Sequence, residues 1–120
     1  MFEVDSNTKK ITMHQGDTGS VTFTATGFDW SEVTAKAVFT MKKKDQTIKE
    51  VVSDLPASGV FTVEFENEDT DFLQPGVYEY DVRVVIDPVL DGNGKITDGT
   101  VVRTPWDPIP VEIRRTVDQI

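Results

Sequence analysis

Apolar and polar side chains alternate residue by residue along most of this chain, and Gly, Pro, Asn and Asp interrupt the alternation at intervals. β-Branched and aromatic residues in that rhythm mark strands with one face in a core and one in water, because successive side chains of a strand point to opposite faces. Phe2 and Val4, then Ile11 and Met13, predict short opening strands linked through Ser6-Asn7. Gly16-Asp17 predicts a turn into a strand where Val21, Phe23 and Ala25 alternate with Thr22, Thr24 and Thr26. Trp30-Ser31-Glu32-Val33 reads as a single helical turn. After it, Ala35, Ala37, Phe39 and Met41 share one face opposite Lys36, Val38, Thr40 and Lys42.

A run of charge cannot be buried, so Lys42-Lys43-Lys44-Asp45-Gln46 predicts a hairpin tip, with Ile48 to Val52 returning along the strand before it. Leu55-Pro56-Ala57-Ser58-Gly59 is a further turn. Phe61, Val63 and Phe65 alternate with Thr62, Glu64 and Glu66 up to an acidic corner, Asn67-Glu68-Asp69-Thr70. Gln74-Pro75-Gly76 then turns into a strand that lines up Tyr78, Tyr80, Val82, Val84 and Ile86, and two more strands follow at Thr100 to Arg103 and Ile109 to Val117.

About seven to nine short strands, with turn signals roughly every 8–12 residues, predict an all-β, immunoglobulin-like antiparallel β-sandwich. Gly76 and Tyr78 are its candidate structural residues. In such sandwiches a Tyr near the start of a late strand pins the preceding corner through its hydroxyl.

The 120 residues suffice for one domain, 1–120, with no repeat or linker dividing it. With no cysteine and His14 as the only histidine, disulfides, cysteine-bound zinc and a multi-histidine metal site within one chain are excluded. No cofactor is expected. The 12 Lys and Arg against 21 Asp and Glu give a net charge of −9. Nucleic acid is therefore an unexpected partner, since binding phosphate backbones rests on Lys and Arg displacing counterions. Residues 61–120 hold 13 acidic and 5 basic groups, so the second half carries most of the excess. No window approaches the run of about 18 apolar residues of a membrane helix, and Met1-Phe2-Glu3-Val4-Asp5 lacks the basic and apolar pattern of a signal peptide. Neither membrane association nor export by that route is expected.

Several motifs invite catalytic or binding readings. Asp17-Thr18-Gly19-Ser20 spells the aspartic-protease signature, and a chain of this length suits half of a homodimeric protease whose two Asp share a proton. Yet His14-Gln15-Gly16 stands where an apolar strand belongs, and no Gly follows residue 100, so a turn is the better reading. Asp91-Gly92-Asn93-Gly94-Lys95-Ile96 copies the middle of an EF-hand loop, but aligning Gly94 with the loop's glycine leaves Val89 and Thr100 where its first and last carboxylates belong. Asn93-Gly94 is better read as a two-residue hairpin turn between Ile86 and Val101. His14 and Ser20 with an Asp could form a nucleophilic constellation, but a lone strand His carries little. No enzymatic activity is expected.

Trp30 and Trp106 lie in loop-like contexts beside Asp29 and Asp107, where exposed indoles can stack on sugars or cap the ends of a sandwich. They define the alternative reading, a carbohydrate-binding module for bacterial-surface glycans. Lys42, Lys43, Lys44 and Trp106 are the candidate partner-binding residues.

Ile11-Thr12-Met13-His14-Gln15-Gly16-Asp17-Thr18, Ala37-Val38-Phe39-Thr40-Met41-Lys42-Lys43, and Asp69 to Leu73 with Gly76 to Val82 together resemble a family of small tail-associated proteins. These are encoded in bacteriophages and prophages of Gram-positive bacteria and are related in pattern to the amino-terminal domain of baseplate upper proteins. Pro110 to Ile113 with Thr116-Val117 is similar to the family's final strand. The chain departs from the pattern in its longer segment from Asp87 to Gly99 and in its Pro-rich stretch around Trp106. The resemblance implies a non-enzymatic virion protein of the tail or baseplate, made in the bacterial cytoplasm. It implies contacts with other tail or baseplate proteins. Contact with further copies is expected on separate grounds, from edge strands that can add to a neighbour's sheet and from a basic tip at Lys42-Lys43-Lys44 set against an acidic second half.

Overall fold

The computed structural model describes residues 2–24, 34–93, 95–103 and 109–114, with backbone alone at 100–103. The short β1 (Glu3–Val4) pairs antiparallel with β2 (Ile11–His14). Next come β3 (Gly19–Thr24), β4 (Ala35–Lys43), β5 (Gln46–Asp54) and β6 (Val60–Phe65). A one-turn helix, α1 (Asn67–Thr70), replaces the expected acidic corner. The long β7 (Gly76–Leu90), β8 (Ile96–Arg103) and β9 (Ile109–Arg114) complete the described chain.

Seven strands form one mixed sheet in the order β1-β2-β9-β7-β4-β5, with β8 also on β7, and β3 and β6 form a separate antiparallel pair. One edge of β7 serves two strands in succession, β9 along Gly76 to Tyr80 and β8 from Arg83 to Leu90. The sheet is not purely antiparallel, because β2 runs parallel to β9, Ile11 opposite Val111. The turn at Gly16 explains this: β3 crosses to the other sheet instead of folding back on β2, leaving an edge of β2 free for the chain's last described strand.

Alternation places the core as the sequence predicts. Phe23 and Phe61, from the small sheet, stack with ring centroids 5.2 Å apart, and Phe23 meets Tyr80 edge-on at 5.7 Å. Phe39 stacks on Tyr80 at 4.9 Å and meets Phe65 edge-on at 5.9 Å. These rings join the two sheets into one core with Ile11, Met13, Val63, Val111 and Ile113. Phe2 closes one end against Phe65, its ring filling the space that a Cβ on Gly19 would need.

The other differences from expectation are local. The β7–β8 hairpin does not close through two residues. Its ladder passes irregularities between Ile86 and Leu90 and reaches Leu90 opposite Ile96, and Gly94 of the expected turn lies outside the described residues. The last strand ends at Arg114, so Val117 lies outside the described residues, as do Ala25, Thr26 and the expected helical turn Trp30 to Val33.

Candidate functional site

Strands β4 and β7 lie side by side in the middle of the seven-stranded sheet, with Thr40 opposite Asp81 and Lys42 opposite Glu79. Alternation sends Phe39, Met41, Tyr78 and Tyr80 into the core and these four to the other face, where an open groove of about 420 Å³ also takes in Lys44 and Val77. Among the described residues Lys42, Lys44, Glu79 and Asp81 make no ion pair, although the first and third stand in register on one face. Val77 beside them is 59% exposed.

The three lysines read as one basic tip are not equivalent. Lys44 and Asp45 form the two-residue turn, Lys44 at φ 54°, and Lys42 points to the groove. Lys43 instead lays its Nζ over the Tyr78 ring, 4.8 Å from the centroid. The Tyr78 hydroxyl donates to the Gln74 carbonyl at 2.8 Å, tying the start of β7 to the corner before it, and Gly76 opens that strand beside Lys43. Burial pushes the Tyr78 hydroxyl pKa up. Trp106 and Trp30 lie outside the described residues.

Edge strand β5 is a second surface feature. Its nine residues pair with β4 on one side, and no described strand pairs with the other. Val52, on the outward face, is 39% exposed. Lys49 turns inward and anchors the strand: its Nζ lies 2.9 Å from Asp69 Oδ2 and 5.3 Å from the Phe65 ring centroid. That carboxylate also accepts the Glu66 N–H at 2.8 Å, so one acidic side chain starts α1 and fastens β5. The β7–β8 hairpin stands over the neighbouring part of the outer face, where Asn93, Lys95 and Ile96 share a groove with Val38, Glu50, Val52 and Arg83.

The motifs that suggested chemistry are occupied by structure. Asp17 Oδ2 accepts the His14 N–H at 2.8 Å, turning its carboxylate back onto β2. Gly16, at φ 78°, is held from both sides: its N–H donates to Thr70 Oγ1 and its carbonyl accepts from Asn67 Nδ2, each at 2.9 Å. Ser20 lies on β3 in the small sheet and His14 on β2 in the large one. Asp91 Oδ1 accepts the N–H groups of Asn93 at 2.8 Å and Lys95 at 2.9 Å, closing its own loop. These amides, Lys95 first, hold the Asp91 carboxyl pKa below its usual value. Among the described residues no group of three or more His, Asp or Glu is placed to hold a metal ion.

Fold and surface together define a mostly β protein, a seven-stranded mixed sheet covered on one face by a two-stranded one, whose exposed chemistry lies on sheet surfaces. No family model, curated protein or solved structure matches this chain. The alternation made the exposure of Val77, Glu79 and Asp81 readable. What it lacked was their neighbour, since the register between β4 and β7 is set by tertiary packing.

Proposed function

We propose that this chain is a non-enzymatic structural or adaptor protein of a bacteriophage or prophage tail or baseplate, built as an immunoglobulin-like sandwich. Its sequence resemblance points to that setting. The order β9-β7-β4-β5 against β3-β6 supports the fold reading, as does the Tyr78 hydroxyl bonded back to Gln74.

The observation that carries the role is the open edge of β5. A nine-residue edge presents a row of backbone donors and acceptors to which a neighbour's extended segment can add as the next strand. Lys49 pinned on Asp69 keeps this edge in place without a partner. Affinity then comes from main-chain hydrogen bonds, and the side chains of Glu50 and Val52 set selectivity.

Particles purified after prophage induction in the source strain test the role by mass spectrometry. The chain is expected in fixed ratio to tail proteins. A Val52→Lys variant, which puts a charge on the edge while sparing the core, is expected to fold and stay out of the particles. Absence of the unaltered chain from particles despite its expression would overturn the proposal, and quenching of tryptophan fluorescence by cell-wall glycans would favour the carbohydrate-binding alternative through Trp30 and Trp106.

A further inference from the structure

The outer face of β4 and β7 has a symmetry of its own, independent of the β5 edge. Lys42 and Glu79 stand opposite each other on adjacent strands, as Thr40 and Asp81 do one step along. A two-fold axis parallel to these strands and midway between them, in the plane of a face-to-face contact, keeps each residue's level along the strand and exchanges β4 for β7. Lys42 of each copy then lies over Glu79 of the other, and Thr40 over Asp81. Such a contact is isologous and closes at two copies.

We infer that this face docks a second copy of the same chain, through two symmetry-related Lys42–Glu79 ion pairs. Charge complementarity supports that occupant. Lys42, Lys44, Glu79 and Asp81 make no ion pair with any described residue, so the cations and carboxylates that the symmetry brings together are free to meet. A partner of one charge sign would satisfy only half of the face; a second copy satisfies both. The exposed Val77 contributes apolar area at the end of the contact. At the other end the β7–β8 hairpin over Val38 and Arg83 limits the contact to this part of the sheet.

Sedimentation velocity over a concentration series tests the inference on the full chain. The unaltered protein is expected to pass from monomer to dimer as concentration rises. A Lys42→Glu, Lys44→Glu variant and a Glu79→Lys, Asp81→Lys variant are each expected to weaken self-association at least about tenfold, because like charges then oppose each other. An equimolar mixture of the two variants is expected to form a heterodimer, since an acidic face meets a basic one. Unchanged circular dichroism and melting of the variants separate lost docking from lost folding. A monomer at all concentrations, variants that dimerise like the parent, or a mixture that fails to associate would each overturn the inference. Val52→Lys should leave this dimer intact, so its failure and that of the β5 contact are distinguishable.

Discussion

Tyr78 and Tyr80 each direct a phenol hydroxyl to one backbone carbonyl, Gln74 at 2.8 Å and Lys9 at 2.7 Å, and so tie loops to the centre of the sheet. Tyr78→Phe keeps the ring under Lys43 and removes only the hydrogen bond. It is expected to lower stability by about 1 kcal/mol in urea unfolding. Burial raises the pKa of both hydroxyls above the ordinary value of 10.0. The folded chain therefore retains protons that the unfolded chain releases above that pH, so their contribution is complete below pH 10.0 and falls as pH rises through the folded-state values. Urea midpoints should decline on the alkaline side, and Tyr80→Phe should flatten the decline. At Gly16 the conformation itself is the constraint: φ is 78°, and a Cβ would lie 2.8 Å from Asn67 Nδ2. Gly16→Ala is expected to cost about 1–3 kcal/mol in the same measurement.

At the scale of elements, side-chain carboxylates hold the loops. Asp5 accepts the N–H groups of Asn7 at 2.8 Å and Thr8 at 2.9 Å between β1 and β2, as Asp91 does between β7 and β8. The Thr8 amide first, then that of Asn7, lowers the Asp5 pKa from its ordinary 3.8. The stabilisation is present above that value and is lost as pH falls through the lowered one. Amide chemical shifts of Asn7 and Thr8 followed in acid should titrate with a midpoint below 3.8, and a midpoint at or above it would contradict the arrangement.

Strand positions were legible wherever one face is apolar, as in Phe61-Val63-Phe65 and Tyr78-Tyr80-Val82, because burial imposes the alternation directly. The parallel pairing of β2 with β9 was not, since neither strand's own pattern names its neighbour. The closure at Asp91 was missed for a related reason: Asn93-Gly94 matches a short turn locally, but irregularities near Pro88 let the ladder run on to Leu90 and Ile96. For the candidate site, the exposure of Lys42 and Lys44 followed from their charge. The inward turn of Lys43 depended on the Tyr78 ring brought beside it by β7.

At the scale of the whole molecule, the large sheet has one face in the core, a second face where Lys42, Lys44, Glu79 and Asp81 make no ion pair with any described residue, and an edge at β5 that no described strand covers. That division would separate the two proposed contacts, a second copy on the face and a neighbour's strand on the edge, and let both form at once. The proposed role is then that of a rigid spacer whose partners attach along sheet surfaces. Adding a strand changes the backbone hydrogen bonds of β5, which makes amide hydrogen exchange of Gln46–Asp54 in the free chain and in purified particles the most direct measurement. Amides on the outer edge of β5 are expected to exchange rapidly in the free chain and to become protected in the particle, with little change in the core strands β4 and β7. Equal exchange of β5 in both states would contradict strand addition as the way this protein holds its neighbours.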